Sequence, residues 1–188
     1  MSGPLRPMPV LVGPMGSGKS VTGMALAALW QVPFSDADRL VERRAGKSIP
    51  KLFAAVGEAG FRELEHQVIA DLLTHGSGVV ALGGGALTNP GNLDLVQAYL
   101  AAGGAVVFLD VTLPVAMSRI GHSRRRPMLA SGGGGGGAGG SEARWLELAA
   151  QRRPAFEAVA TCTIQTDSLQ PAEVAQAIND QLAAGSDT

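Results

Sequence analysis

At 188 residues the chain has the length of one ordinary domain, and a single domain over 1–188, acting as a monomer, is the expectation. Fifteen Lys and Arg against sixteen Asp and Glu leave a net charge of −1, which argues against a surface basic enough to coat a nucleic acid, and no apolar run reaches the roughly 20 residues that cross a bilayer. The single cysteine, Cys162, cannot close an intramolecular disulfide and the N-terminus does not read as a secretory leader, so a cytoplasmic setting without nucleic-acid or membrane partners is expected.

A hydrophobic content of 46% with only 4% aromatics implies a core of Ala, Val and Leu, suited to helices packed on a sheet. Pro9 to Val12 reads as a strand, followed by a glycine-rich turn and a helix from Lys19 to Trp30. Val32 to Ser35 is a second strand, and its end delivers Asp36 and Asp38 to a charged helix around Leu40 to Arg44. Ser48 is placed as an N-cap for a segment reaching Leu73, with apolar residues at helical spacing and breaks at Gly57 and Gly60, hence two helices. Gly78 to Leu82 is a buried strand running into Gly83, Gly84 and Gly85, and Asn89-Pro90 opens a helix to about Ala101.

Ala105 to Asp110 is the next strand, and Thr112 and Pro114 start a helix that fades near Gly121. The chain then turns basic and, from Ser131 to Gly140, almost purely glycine, which places a mobile lid at about 121–141. Glu142 to Ala158 is helical in composition, Cys162 to Thr166 a fifth strand and Pro171 to Leu182 a closing helix. Strands alternating with helices predict an α/β three-layer sandwich around a five-stranded parallel sheet.

Gly13 to Ser20 matches G-x-x-x-x-G-K-[ST] in full, between a predicted strand and a predicted helix, as a phosphate-binding loop requires. Glycines let successive N–H groups point at phosphate oxygens, and the helix start adds partial positive charge. Gly16, Ser17, Gly18, Lys19, Ser20 and Val21 are the candidate ATP contacts, with Lys19 reaching the β- and γ-phosphates and the Ser20 hydroxyl offered to Mg²⁺.

For the acceptor, Asp36 and Asp38 stand two apart, a spacing that puts both carboxylates on one side of an extended segment, one for metal and one for the acceptor hydroxyl. The same pair also suits a helix N-cap. Arg62 lies among Glu58, Glu65 and His66, where a plain helical ion pair is the alternative to a substrate contact. Three glycines, Gly83 to Gly85, let a ligand approach bare backbone N–H groups. Arg119, Arg124, Arg125 and Arg126 precede the glycine stretch and Arg144, Arg152 and Arg153 follow it, an arrangement suited to closing guanidinium groups over a triphosphate.

The order of these motifs resembles the shikimate kinase family from about Val10 to Pro171: the phosphate loop, Asp36-Ala-Asp38, Gly46-Lys-Ser-Ile with Phe53, Gly57-Glu58 with Phe61-Arg62 and Glu65, Leu82-Gly-Gly-Gly-Ala, Arg126-Pro127 and Arg153-Pro154. The resemblance implies a sheet of order 2-3-1-4-5 and transfer of the ATP γ-phosphate to the 3-hydroxyl of shikimate. By that resemblance Asp38, Arg62, Gly84 and Arg153 contact shikimate, with the two arginines on its carboxylate and Gly83 and Gly85 beside them. Arg126 is then the lid arginine on ATP, Arg119 stacks near adenine, and Ser20 and Asp36 hold Mg²⁺, with Asp110 in reserve. Lys19, Asp38 and Arg126 become the catalytic set, Asp38 orienting and deprotonating the attacking hydroxyl, with Asp36 a candidate for the same task. The near-pure glycine lid and the apolar Leu169, where relatives often carry a basic residue, depart from the family pattern. A gluconate kinase of the same fold and a nucleotide-binding module without turnover are the rival expectations.

Overall fold

The computed structural model describes residues 8–120 and 138–184. In chain order these form β1 (Pro9–Val12), α1 (Lys19–Trp30), β2 (Phe34–Asp36), α2 (Ala37–Ala45), α3 (Ile49–His75), β3 (Val79–Ala81), a 3-10 turn (Ala86–Thr88), α4 (Pro90–Ala101), β4 (Ala105–Asp110), α5 (Leu113–Ile120), α6 (Ala138–Val159), β5 (Cys162–Gln165) and α7 (Pro171–Ala184). All five strands lie in one sheet of order β2-β3-β1-β4-β5, and every neighbouring pair is parallel. The expected α/β class and strand order are therefore found.

Strand side chains alternate between faces, and the core divides accordingly. Val10, Val12, Val80, Leu82, Val106 and Phe108 pack on one face with Val41, Phe61, Ile69 and Phe156. Leu11, Val79, Ala81, Val107 and Leu109 pack on the other with Leu26, Val174 and Ile178. The central strands carry no polar residue until their ends because both faces are covered, which is why they read as short continuous apolar runs. Parallel strands bring their carboxyl ends to one edge. The phosphate loop leaves β1 there, Asp36 ends β2, the glycine turn follows β3 and Asp110 ends β4.

Local details differ from the sequence reading. The second strand begins at Phe34, because Gln31 caps α1 in a left-handed conformation (φ 55) and the Val32 N–H donates back to Ala27 O at 3.0 Å, so Val32 closes the end of the helix instead of entering the sheet. Of the two expected helix breaks only Gly57 is real: its φ of 70 and ψ of −175 divide α3, whereas the chain stays helical through Gly60. Ser48 holds the N-cap position of α3 but its hydroxyl makes no cap bond. The Glu42 carboxylate takes the Ile49 N–H instead, at 2.9 Å. Helix α6 already begins at Ala138, inside the interval assigned to the lid, and 121–137 lie outside the described residues.

Candidate active site

The donor side is built from the loop between β1 and α1. Gly16 and Gly18 have φ of 88 and 90, a region costly for residues with a Cβ, and Gly18 is the N-cap of α1. Among the described residues no side chain caps that helix, which leaves its first-turn N–H groups for an anion. Lys19 Nζ donates to Gly13 O at 2.7 Å and to Pro14 O at 3.0 Å, which lays its ammonium along the loop. Ser17 is fully buried beneath the loop and its hydroxyl has no partner among the described residues. Val21, in the first turn of α1, is half exposed.

The Ser20 hydroxyl donates to Asp36 Oδ2 at 2.7 Å, while Asp36 Oδ1 caps α2 by accepting from the Arg39 N–H at 3.3 Å. Capping and a role beside Ser20 are therefore held by one carboxylate. Two hard oxygen donors, one from the first turn of α1 and one from the end of β2, meet beside the phosphate loop, and this donor chemistry fits Mg²⁺, which takes one or two protein oxygens and completes its shell with phosphate and water. Asp110, the reserve choice, accepts from the Val111 N–H at 2.9 Å and pairs with Arg153, so its carboxylate is committed elsewhere.

On the acceptor side the two aspartates separate. Helix α2 starts at Ala37, so Asp38 belongs to its first turn and not to an extended strand, which corrects the expectation that both carboxylates share one side of such a segment. A Cβ at Gly83 would stand 2.5 Å from Asp38 Oδ1 and 3.3 Å from Glu65 Oε1, so any other residue there would displace these carboxylates. A Cβ at Gly84 would stand 3.6 Å from Gly13 O and from Met15 N, and one at Gly85 would meet Arg152 Nη2 at 3.3 Å and Arg62 Nη2 at 3.4 Å. The glycine turn is thus pressed between the phosphate loop and two guanidinium groups.

Those two groups are Arg62 and Arg152, and the second was not among the expected site residues. Arg62 Nη1 donates to Glu65 Oε2 at 2.7 Å and reaches Gly85 O at 3.4 Å. Arg152, only 8% exposed, donates through Nη1 to Gly84 O at 3.2 Å, and its buried Nε has no partner among the described residues. Arg153, the expected clamp, points elsewhere: it pairs with Asp110 and, at 2.8 Å, with Glu157, lies over the Phe108 ring and leaves 47% of its side chain exposed. Successive helical residues are turned about 100° from each other, so the two arginines cannot share a direction. The pattern held the signal. Trp145, Leu148, Arg152, Phe156 and Val159 recur at spacings of three and four and are all buried, which marks 152 as inward and 153 as outward.

Glu65 is 3% exposed. Burial holds its carboxyl above the ordinary glutamate range, against the opposing pull of Arg62 and Arg152. Burial also pushes Arg152 down from its usual value, helped by the neighbouring Arg62 guanidinium. Arg62 is shared between Glu65 and, at 3.5 Å, the exposed Glu58, whereas Arg152 makes no ion pair among the described residues, so its buried guanidinium is the charge that a ligand carboxylate would neutralise.

Of the remaining expected residues, Arg119 bridges the loop and the end of β5: Nη1 donates to Gly16 O at 3.3 Å and to Thr166 Oγ1 at 3.0 Å, and Nη2 to Thr166 O at 2.6 Å. Leu169 packs against the core beneath α1 and α7. Arg126, with Arg124 and Arg125, lies outside the described residues.

The family model described as "Shikimate kinase" matches residues 15–183. The chain is 43% identical over 180 residues to the shikimate kinase of Salinispora arenicola, covering 96% of this chain and all of that one. It is 40% identical over 182 residues to that of Thermobifida fusca, covering 97% and 98%. Among solved structures, the shikimate kinase of Acinetobacter baumannii in complex with shikimate superposes with a TM-score of 0.86 at 32% identity, covering 96% of this chain and 95% of that one.

Proposed function

The chain belongs to the shikimate kinase family, and from that premise we propose that it transfers the γ-phosphate of ATP to the 3-hydroxyl of shikimate, releasing ADP and shikimate 3-phosphate. The observation that carries this reading is the Gly83–Gly85 turn, which touches the phosphate loop on one side and the Arg62 and Arg152 guanidinium groups on the other. A phosphoryl donor and a carboxylate-bearing acceptor bound there would be neighbours, and such proximity supplies much of the catalysis in phosphoryl transfer.

The shikimate carboxylate is planar and suits guanidinium forks, so Arg62 and Arg152 hold it, with the free Arg152 Nε as one of the donors. Glu65 acts through Arg62, fixing its plane. Asp38, beside Gly83, accepts the hydrogen bond of the attacking hydroxyl and takes up its proton as the new oxygen–phosphorus bond forms and the bond to the ADP oxygen breaks. Lys19 follows the transferring phosphoryl group, exchanging its contacts with the Gly13 and Pro14 carbonyls for phosphate oxygens, and Arg126 is assigned to the same charge. Ser20 and Asp36 would hold Mg²⁺, which when bound would neutralise charge on the phosphates. The reading includes one domain acting as a monomer in the cytoplasm.

The test is ADP release from MgATP with shikimate, with gluconate, AMP and no acceptor alongside. Release that depends on shikimate is expected. Release with gluconate instead would keep the donor side and discard the acceptor, and nucleotide binding without any acceptor-dependent release would make the chain a binding module.

A further inference from the structure

The carbonyls of a phosphate loop must point away from the anion if its N–H groups are to point toward it, so what anchors those carbonyls matters for binding. Lys19 holds those of Gly13 and Pro14, and Arg119 that of Gly16. The carbonyl between them, Met15 O, accepts from the indole Nε1 of Trp145 at 2.9 Å, 130 residues further along the chain on α6. Trp145 is 6% exposed and packs among Val111, Ala116 and Ile120, so the indole is held by its surroundings and not by the bond alone. Helix α5 closes the same side of the loop, because a Cβ at Gly16 would stand 2.9 Å from Ala116 Cα.

We propose that Trp145 is a positioning residue of the phosphate cradle: its indole N–H draws the Met15 carbonyl toward α6 and thereby turns the Gly16 N–H toward the phosphates of a bound nucleotide. The C=O and N–H of one trans peptide point in opposite directions, so fixing the first fixes the second. Lysine and arginine donors are charged, and an arriving phosphate competes for them. The indole is a neutral donor with a single N–H, and the anion does not draw it away. Trp145 is therefore the anchor that stays in place when the nucleotide binds. Two turns along the same face α6 carries Arg152, but Leu148, Phe156 and Val159 hold that part of the helix in the core, so removing the indole N–H leaves the acceptor clamp where it is.

The inference rests on the proposed kinase reading, and nucleotide affinity tests it separately from turnover. Trp145→Phe keeps an aromatic ring in the pocket and deletes the donor. Calorimetry with MgADP should give a Kd about tenfold weaker than wild type, from the orphaned carbonyl, and the KM for ATP should rise similarly while the KM for shikimate stays within about twofold. Leu148→Ala, one turn away, loses packing without touching the loop. It should lower Tm yet leave the MgADP affinity within about twofold. Wild-type affinity in Trp145→Phe would overturn the proposal. So would a loss of affinity that follows the loss of Tm equally in both variants, since that is the mark of a merely structural role. Wild-type protein that binds MgADP but does not phosphorylate shikimate would overturn the acceptor assignment, with Trp145 still judged by nucleotide affinity.

Discussion

Arg152→Met and Arg153→Met separate two adjacent arginines that only geometry distinguishes. Methionine keeps much of the arginine stem, so the inward face of α6 stays filled while every donor is removed. Arg152 is 8% exposed, spends one nitrogen on Gly84 O and keeps its Nε free for a ligand. Losing a charge-assisted, two-pronged contact with a carboxylate in such a place costs about 3 kcal/mol, or roughly 150-fold in affinity. Arg153 pairs with Asp110 and Glu157 with 47% of its side chain exposed, a pairing that solvent holds to about 1 kcal/mol or less. With saturating MgATP, ADP release followed against shikimate concentration should show the KM rising by about two orders of magnitude in Arg152→Met and by less than about threefold in Arg153→Met. The reverse pattern would refute the assignment of Arg152 to the acceptor.

Lys19→Met should lower turnover about a thousandfold, since its ammonium serves the transferring phosphate, and activity within tenfold of wild type would count against that role. Asp36→Asn keeps a good N-cap for α2, so the fold should persist while the Mg²⁺ concentration for half-maximal activity rises about tenfold; an unchanged requirement would remove Asp36 from the metal site. Glu65, raised in the folded chain above the ordinary 4.5 by burial, contributes stability that is fully present below that value and is lost as pH climbs through the raised folded value. The Tm of Glu65→Gln relative to wild type should therefore increase with pH across that window, and a difference that does not change with pH would show that the carboxyl is not raised.

Short-range pattern carried much of this protein. A phosphate loop is one contiguous segment whose glycines and lysine act on their own neighbours, so Gly13 to Ser20 was legible without a fold. Continuous apolar runs marked the strands because both sheet faces are covered, and Asn89 with Pro90 marked the start of α4, where the Asn89 side chain does cap the helix. Where local signals compete, the sequence was less decisive. Ser48 stood in the right place for a cap, but its hydroxyl makes no cap bond, and a glutamate from the preceding helix satisfies the Ile49 N–H.

The pairings that make a site were decided by tertiary structure. Ser20 meets Asp36, Asp38 meets Gly83, and Trp145 meets Met15 across 130 residues only because parallel strands end at one edge and α6 crosses behind the loop. Arg152 lies between these cases. Its inward direction follows from the helical period of α6, a local property, but its meeting with Arg62, Glu65 and Gly84 depends on how α6 packs against the turn after β3. Residue type and spacing determine which groups a chain can offer and which way an element faces. Which of them converge is a matter of packing, and packing is set by contacts between distant segments that no stretch of sequence contains.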